Sequence, residues 1–140
     1  MRKQRKQEIH DFNTNWPRKR TWARKFRDAF LGLRQSIHRQ SSYRVHFTAA
    51  VIVIAAGWLL GMDHVRWSLL VLCITIVLSA EMFNTALETL AKAITSDYNE
   101  HLGRALNIAS AAVLTAAIGA TIVGSLLFIE AIGRIFGGFF

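Results

Sequence analysis

A chain of 140 residues, 52% hydrophobic and only 19% charged, has room for one domain and leans towards a membrane rather than an aqueous setting. One proline and nine glycines exclude a collagen-like or low-complexity chain, and a lone Cys73 inside an apolar run excludes a disulfide framework. The formal net charge of +8 is concentrated at one end, with thirteen of the seventeen Lys and Arg residues between Arg2 and Arg44 against Glu8, Asp11 and Asp28.

Residues 1–20 are polar, punctuated by Trp16 and Pro17, and show no periodic apolar face, so they read as a mobile basic tail. The opening MRKQRKQEIH has neither the apolar stretch nor the cleavage site of a signal peptide, and the chain is expected to keep its N-terminus. A basic stretch abutting a membrane segment is explained by anionic headgroups and by topology, and no nucleic-acid partner is expected. From Thr21, a candidate cap, Trp22, Phe26, Ala29, Phe30, Leu33 and Ile37 recur at spacings of three and four, while Arg24, Lys25, Arg27, Arg34 and Arg39 fill other positions. This pattern predicts an amphipathic helix over residues 21–40 that lies in the membrane interface, rings in the acyl boundary and charges at phosphates.

Three apolar stretches follow. Residues 43–60 are about as short as a span can be, and a turn over residues 61–66 ends them. Residues 66–94 begin as an uninterrupted apolar run and carry Glu81, Asn84 and Glu88 towards their far end; residues 97–102 are a polar loop. Residues 105–130 are rich in Ala, Ser, Thr and Gly, which lets helix backbones approach closely. The expected fold is an all-α integral membrane protein, with three transmembrane helices and an N-terminal amphipathic interfacial helix in a domain over residues 21–140. The tail, the amphipathic helix, Lys92 and Arg104 fall on one side, and Arg66 and Arg134 on the other. The N-terminus is therefore expected in the cytoplasm, together with the polar end of the second span.

An ionisable side chain within a span costs roughly 2.5 kcal/mol or more near its centre, so Glu81 and Glu88 require an explanation. At about 100° per residue, Asn84 falls roughly 60° and Glu88 roughly 20° behind Glu81, which puts all three on one face, the carboxylates roughly 10 Å apart along the axis. One carboxylate can then bind a divalent cation while the other accepts a proton, with an amide between them to orient either. The alternative is structural: both acids snorkel to the interface, or pair with Lys92 and Arg104 as an ionic cluster.

The string Ala80-Glu81-Met82-Phe83-Asn84-Thr85-Ala86-Leu87-Glu88 resembles the E-x-x-N-[ST]-A-[ILV]-E signature of the bacterial diacylglycerol kinase and undecaprenol kinase family. The resemblance runs from about Phe26 to Ile129. It includes Gly32-Leu33, Tyr43-Arg44-Val45-His46, Asp97-Tyr98, Gly103-Arg104-Ala105 and Ser110-Ala111-Ala112-Val113-Leu114, and excludes the basic tail. It implies a homotrimer in the bacterial cytoplasmic membrane that transfers phosphate from Mg-ATP to the hydroxyl of diacylglycerol or undecaprenol. Carried over, Glu81 is the general base, Glu88 binds Mg2+, and Asn84 positions one or both. No Gly-rich phosphate loop is present, so ATP is left to side chains, for which Arg104, Asn107, Arg27 and Arg34 are candidates.

Three departures from the family pattern stand in this chain. Gln40 takes the place of a second metal-binding Glu, Leu106-Asn107 that of a Lys-Asp pair, and Ala91-Lys92 that of Val-Asp. These changes favour the competing expectation, a non-catalytic membrane scaffold of the same fold. Elsewhere, His46 has no metal-ligating neighbours and is expected at the interface, Trp58 and Trp67 are expected as aromatic anchors beside the turn, and Glu130 is expected to pair with Arg134.

Overall fold

The computed structural model describes residues 21–39 and 41–137. The tail over residues 1–20 and the metal candidate Gln40 lie outside the described residues. Among the described residues there are four α-helices and no strand: α1 (Trp22–Arg39), α2 (Ser41–Leu59), α3 (His64–Ile94) and α4 (Glu100–Gly137). The chain divides after Leu33 into two units, and each is taken by itself.

In the first unit, the opening turns of α1 leave Trp22, Phe26 and Phe30 exposed. The second unit holds α2, α3 and α4, each long and apolar enough to cross a bilayer. Little of their apolar surface is covered: Leu72, Ile76, Ile118 and Ile122 are exposed, which is the distribution of a chain whose solvent is lipid rather than water. Five hydroxyls within the spans are satisfied by their own helices. Ser68, Thr75, Thr89, Thr115 and Thr121 each donate to the carbonyl four residues earlier, so no bare hydroxyl faces hydrocarbon at those positions.

The α2–α3 hairpin closes through a Schellman motif. Gly61 N–H donates to Trp58 O and Met62 N–H to Gly57 O, both at 3.2 Å, with Gly61 at φ +59°, a conformation that strains any residue carrying a Cβ. Met62 then folds back on Gly57, where an added Cβ would meet its sulfur at 3.2 Å. Asp63 caps α3, its Oδ1 accepting from Arg66 N–H at 3.0 Å, so the helix starts at His64 rather than at residue 66. A small core of Met62, Leu70, Leu127 and Ala131 packs at this end, with Trp67 half-buried against it rather than standing out as an anchor, whereas Trp58 is exposed.

Charges close the same end. Arg66 donates through Nη1 to Asp63 and through Nη2 to Glu130, and Arg134 Nη1 lies 3.5 Å from Asp63 Oδ2. Glu130 thus pairs across to α3 and not with Arg134 on its own helix, because Arg66 reaches over from the facing helix. The Arg66 backbone N–H, with the charges of Arg66 and Arg134, holds the Asp63 carboxyl below the usual aspartate range.

At the opposite end, the loop is shorter than the expected residues 97–102. Thr95 Oγ1 accepts from Asp97 N–H at 3.0 Å, and Asn99 Oδ1 accepts from Leu102 N–H at 3.1 Å, which caps α4 and lets it start at Glu100. That helix is 38 residues long and runs past residue 130 to Gly137, beyond the apolar stretch that marks it in the sequence.

Candidate active site

The buried residues of α3 are Leu70, Val77, Glu81, Asn84 and Ala91. On a helix with about 3.6 residues per turn these fall on one stripe, and Glu88 lies within it. Two polar groups therefore interrupt an otherwise apolar packing seam: Glu81 is 2% and Asn84 7% exposed. Glu88, one turn further, is half-buried.

The amide between the acids is tied at both ends. Asn84 Nδ2 donates to Glu88 Oε1 at 3.0 Å, and Asn84 Oδ1 accepts from Ser110 Oγ on α4 at 3.5 Å. This fixes the amide orientation: its NH2 faces the outer carboxylate and its carbonyl faces α4. Neither Lys92 nor Arg104 forms an ion pair with Glu81. Lys92 is exposed, and Arg104 Nη2 is 3.0 Å from Glu100 Oε1 on its own helix. A satisfied ionic cluster built around Glu81 is therefore not what the fold contains. Thr85 Oγ1, buried on the same stretch of α3, has no hydrogen-bond partner, unlike the other span hydroxyls described above.

Axial position separates the two acids. At about 1.5 Å per residue, Glu81 stands roughly 26 Å and Glu88 roughly 36 Å along α3 from His64. A hydrocarbon core is about 30 Å thick, so with His64 at one boundary Glu81 lies just inside the other and Glu88 beyond it. On the apolar side, a cavity of about 380 Å³ lies between α2, α3 and α4, its walls including Leu70, Val77, Leu78, Ala117 and Phe128. On α3 the lining ends at Leu78, three residues before Glu81. His46 also lines the cavity and is half-buried there.

The other candidates are spread more widely. Arg104 and Asn107 are exposed on the first turns of α4, and Arg27 and Arg34 are exposed on α1. Among the described residues, no group of three or more His, Cys, Asp and Glu side chains converges. For Mg2+ this donor set still fits: that ion takes hard oxygen ligands, commonly one or two carboxylates with the remainder from water and substrate phosphates, and Glu88 offers a carboxylate braced by Asn84. Thr85 falls on the same stripe of α3 by its spacing, and Ser110 is the group that spacing alone did not single out. The signal for Ser110 is a small polar residue in the Ala-rich face of α4, the face able to approach α3 closely.

Together, three membrane-length helices and an acid, amide and acid in the second half of α3 define a small helical membrane protein with a polar cluster buried between two of its spans. The prokaryotic diacylglycerol kinase family matches residues 27–128, and the chain belongs to that family. It is similar to a diacylglycerol kinase of Synechocystis sp., with 36% identity over 103 residues, 73% of this chain and 59% of that protein. A diacylglycerol kinase of Escherichia coli K12 is 31% identical over 99 residues, 71% of this chain and 81% of its own length. An undecaprenol kinase of Bacillus subtilis is 28% identical over 104 residues, 74% and 85% of the two chains.

Proposed function

We propose that the protein is an ATP-dependent lipid kinase that phosphorylates the hydroxyl of diacylglycerol or undecaprenol at the cytoplasmic face of a bacterial inner membrane. The observation that carries this is the burial of Glu81: a carboxylate 2% exposed, without an ion pair among the described residues, three residues beyond the last α3 side chain that lines an apolar cavity. A lipid alcohol brings its chain to the cavity and its hydroxyl to the surface, and membership of a family whose relatives are named for lipid phosphorylation supports the match.

In this reading Glu81 takes the proton as the lipid hydroxyl oxygen attacks the γ-phosphorus and the bond to the ADP oxygen breaks. Asn84 holds Glu88 and, through it, the phosphate end of the site. Glu88 holds Mg2+, with Gln40 as a neutral oxygen ligand; the ion when bound neutralises charge developing on the phosphates. Arg104, Asn107, Arg27 and Arg34 are the side chains available to ATP phosphates and ribose. The chain is multi-pass with a cytoplasmic N-terminus, the tail over residues 1–20 standing outside the membrane domain, and it works as a homotrimer.

Phosphate transfer by the purified protein in mixed micelles, with Mg-ATP and with diacylglycerol and undecaprenol offered side by side, tests the proposal. Product from one lipid identifies the acceptor. No product from either, with folded protein and a working control kinase, overturns the reading in favour of a scaffold without catalysis.

A further inference from the structure

One turn beyond Glu88, α3 carries a cation on the stripe that holds the two acids. At about 100° per residue, Glu88 and Lys92 stand roughly 20° to either side of Glu81. Exposure rises along this row, from buried Glu81 through half-buried Glu88 to exposed Lys92, so it reads acid, acid, cation from the packed seam outwards. Between Glu81 and Arg104 the sequence has no Lys or Arg besides Lys92. Arg104 is engaged with Glu100 at 3.0 Å, whereas Lys92 has no ion pair among the described residues, not even with Glu88. On α2, Arg44 stands about 160° around its helix from His46, which lines the cavity between the three spans, so Arg44 faces away from them.

The position of this cation is particular to the chain. Lys92 stands where the family pattern has an acid, and Leu106 where it has a lysine. Arg66 pairs with Glu130 and Asn84 with Ser110, so α3 and α4 run antiparallel, and Leu106, four residues before Ser110, falls level with Glu88, four residues after Asn84. Lys92 lies about 6 Å further along α3. A positive charge is thus missing from α4 and present on α3 within about one turn. Glu88 alone repels a phosphate and attracts it only through a metal ion; an ammonium on a flexible stem attracts phosphate directly, as a point charge. We propose that Lys92 binds the phosphate chain of the nucleotide donor, a contact that persists when Mg2+ is withheld. The inference rests on the kinase reading for the identity of the donor.

Equilibrium binding of ATP to the full chain in phosphatidylcholine nanodiscs, without acceptor lipid, tests this with Mg2+ supplied and with Mg2+ chelated by EDTA. Loss of a charge-assisted hydrogen bond in Lys92→Gln is expected to weaken ATP binding about 10- to 100-fold in both conditions. Lys92→Arg keeps the charge and should lose less, and adenosine, which has no phosphate, should not distinguish the three chains. In phosphate transfer, Lys92→Gln should raise the KM for ATP and leave the KM for the lipid unchanged. Equal ATP affinity of Lys92→Gln and wild type overturns the proposal; if that variant also melts lower only in discs containing phosphatidylglycerol, the ammonium belongs to lipid headgroups. A wild-type chain that binds ATP no better than adenosine overturns it as well. A chain that binds ATP through Lys92 but transfers phosphate to neither lipid fails the kinase assay and keeps this contact. A chain that transfers phosphate, with an unchanged KM for ATP in Lys92→Gln, does the reverse.

Discussion

Replacing Glu81 by Gln separates a functional carboxylate from a structural one, because the two roles predict opposite changes in stability and activity. The side chain is 2% exposed and has no ion pair, so the folded protein holds a desolvated carboxylate that Gln would relieve of its charge at almost the same volume. A charged residue at the centre of a span costs about 2.5–3.5 kcal/mol and less towards the boundary, so Glu81→Gln should leave stability unchanged or raise it by up to about 2 kcal/mol. Loss of a general base should lower turnover by about 100- to 10,000-fold. The assays are phosphate transfer in mixed micelles and the denaturation midpoint in the same detergent. Retained turnover would refute the proton-acceptor role. Loss of more than about 1 kcal/mol would show instead that the carboxylate holds the bundle together, through the satisfied hydrogen bonds that make a buried polar group stabilising.

Other perturbations read neighbouring parts of the same structure. Ser110→Ala removes a hydrogen bond that is already 3.5 Å long, so it should cost under about 1 kcal/mol and reduce turnover less than Asn84→Ala, which also unties Glu88, as parallel kinetics will show. Gly61→Ala must hold φ +59° with a Cβ and should destabilise by about 1–2 kcal/mol in a denaturant titration. The depressed Asp63 carboxyl stabilises the fold at any pH above its unfolded value of about 3.9, and that contribution is lost as pH falls through its lower folded value. Asp63→Asn keeps a side-chain cap for α3 but should abolish this acid dependence in thermal melts taken as a pH series. Arg66→Met together with Glu130→Leu should be better tolerated than Arg66→Met alone, which leaves Asp63 and Glu130 without their shared cation; melting of both variants checks this.

Much of the fold is legible because a bilayer allows few solutions. Apolar runs of membrane length must be helices that satisfy their own backbone, and the runs around Val53, Leu72 and Ile118 became α2, α3 and α4. Glu81, Asn84 and Glu88 could be placed on one face from their spacing, since helical periodicity alone fixes it. Their surroundings could not. That Asn84 is held by Ser110, that Arg104 turns to Glu100, and that Arg66 captures Glu130 all depend on which faces of α3 and α4 meet, and apolar stretches this uniform do not encode the rotation of one helix against another. Helix ends were equally opaque, because Asp63 and Asn99 act as caps only through a local geometry that composition does not reveal.

The two ends of the α3–α4 pair treat polar groups in opposite ways, and the contrast bears on function. At the hairpin end every charge has an opposite charge within reach: Arg66 takes Asp63 and Glu130, and Arg134 lies beside Asp63. Such an arrangement neutralises its own charge, although Arg66 Nε is left without a hydrogen-bond partner. At the other end Glu81 is more deeply buried than any of those four residues and has no cation, while Thr85 Oγ1 lacks even the backbone partner that Ser68, Thr75 and Thr89 find. If polar groups served only to fasten helices, burial should increase with satisfaction, because an unpaired polar atom in a low-dielectric seam loses its hydration for no return. Here the most deeply buried acid has no cation among the described residues, and the Thr85 hydroxyl one turn on has no hydrogen-bond partner. That combination is what a site looks like when its remaining partners, a hydroxyl and a set of phosphates, arrive with the substrates.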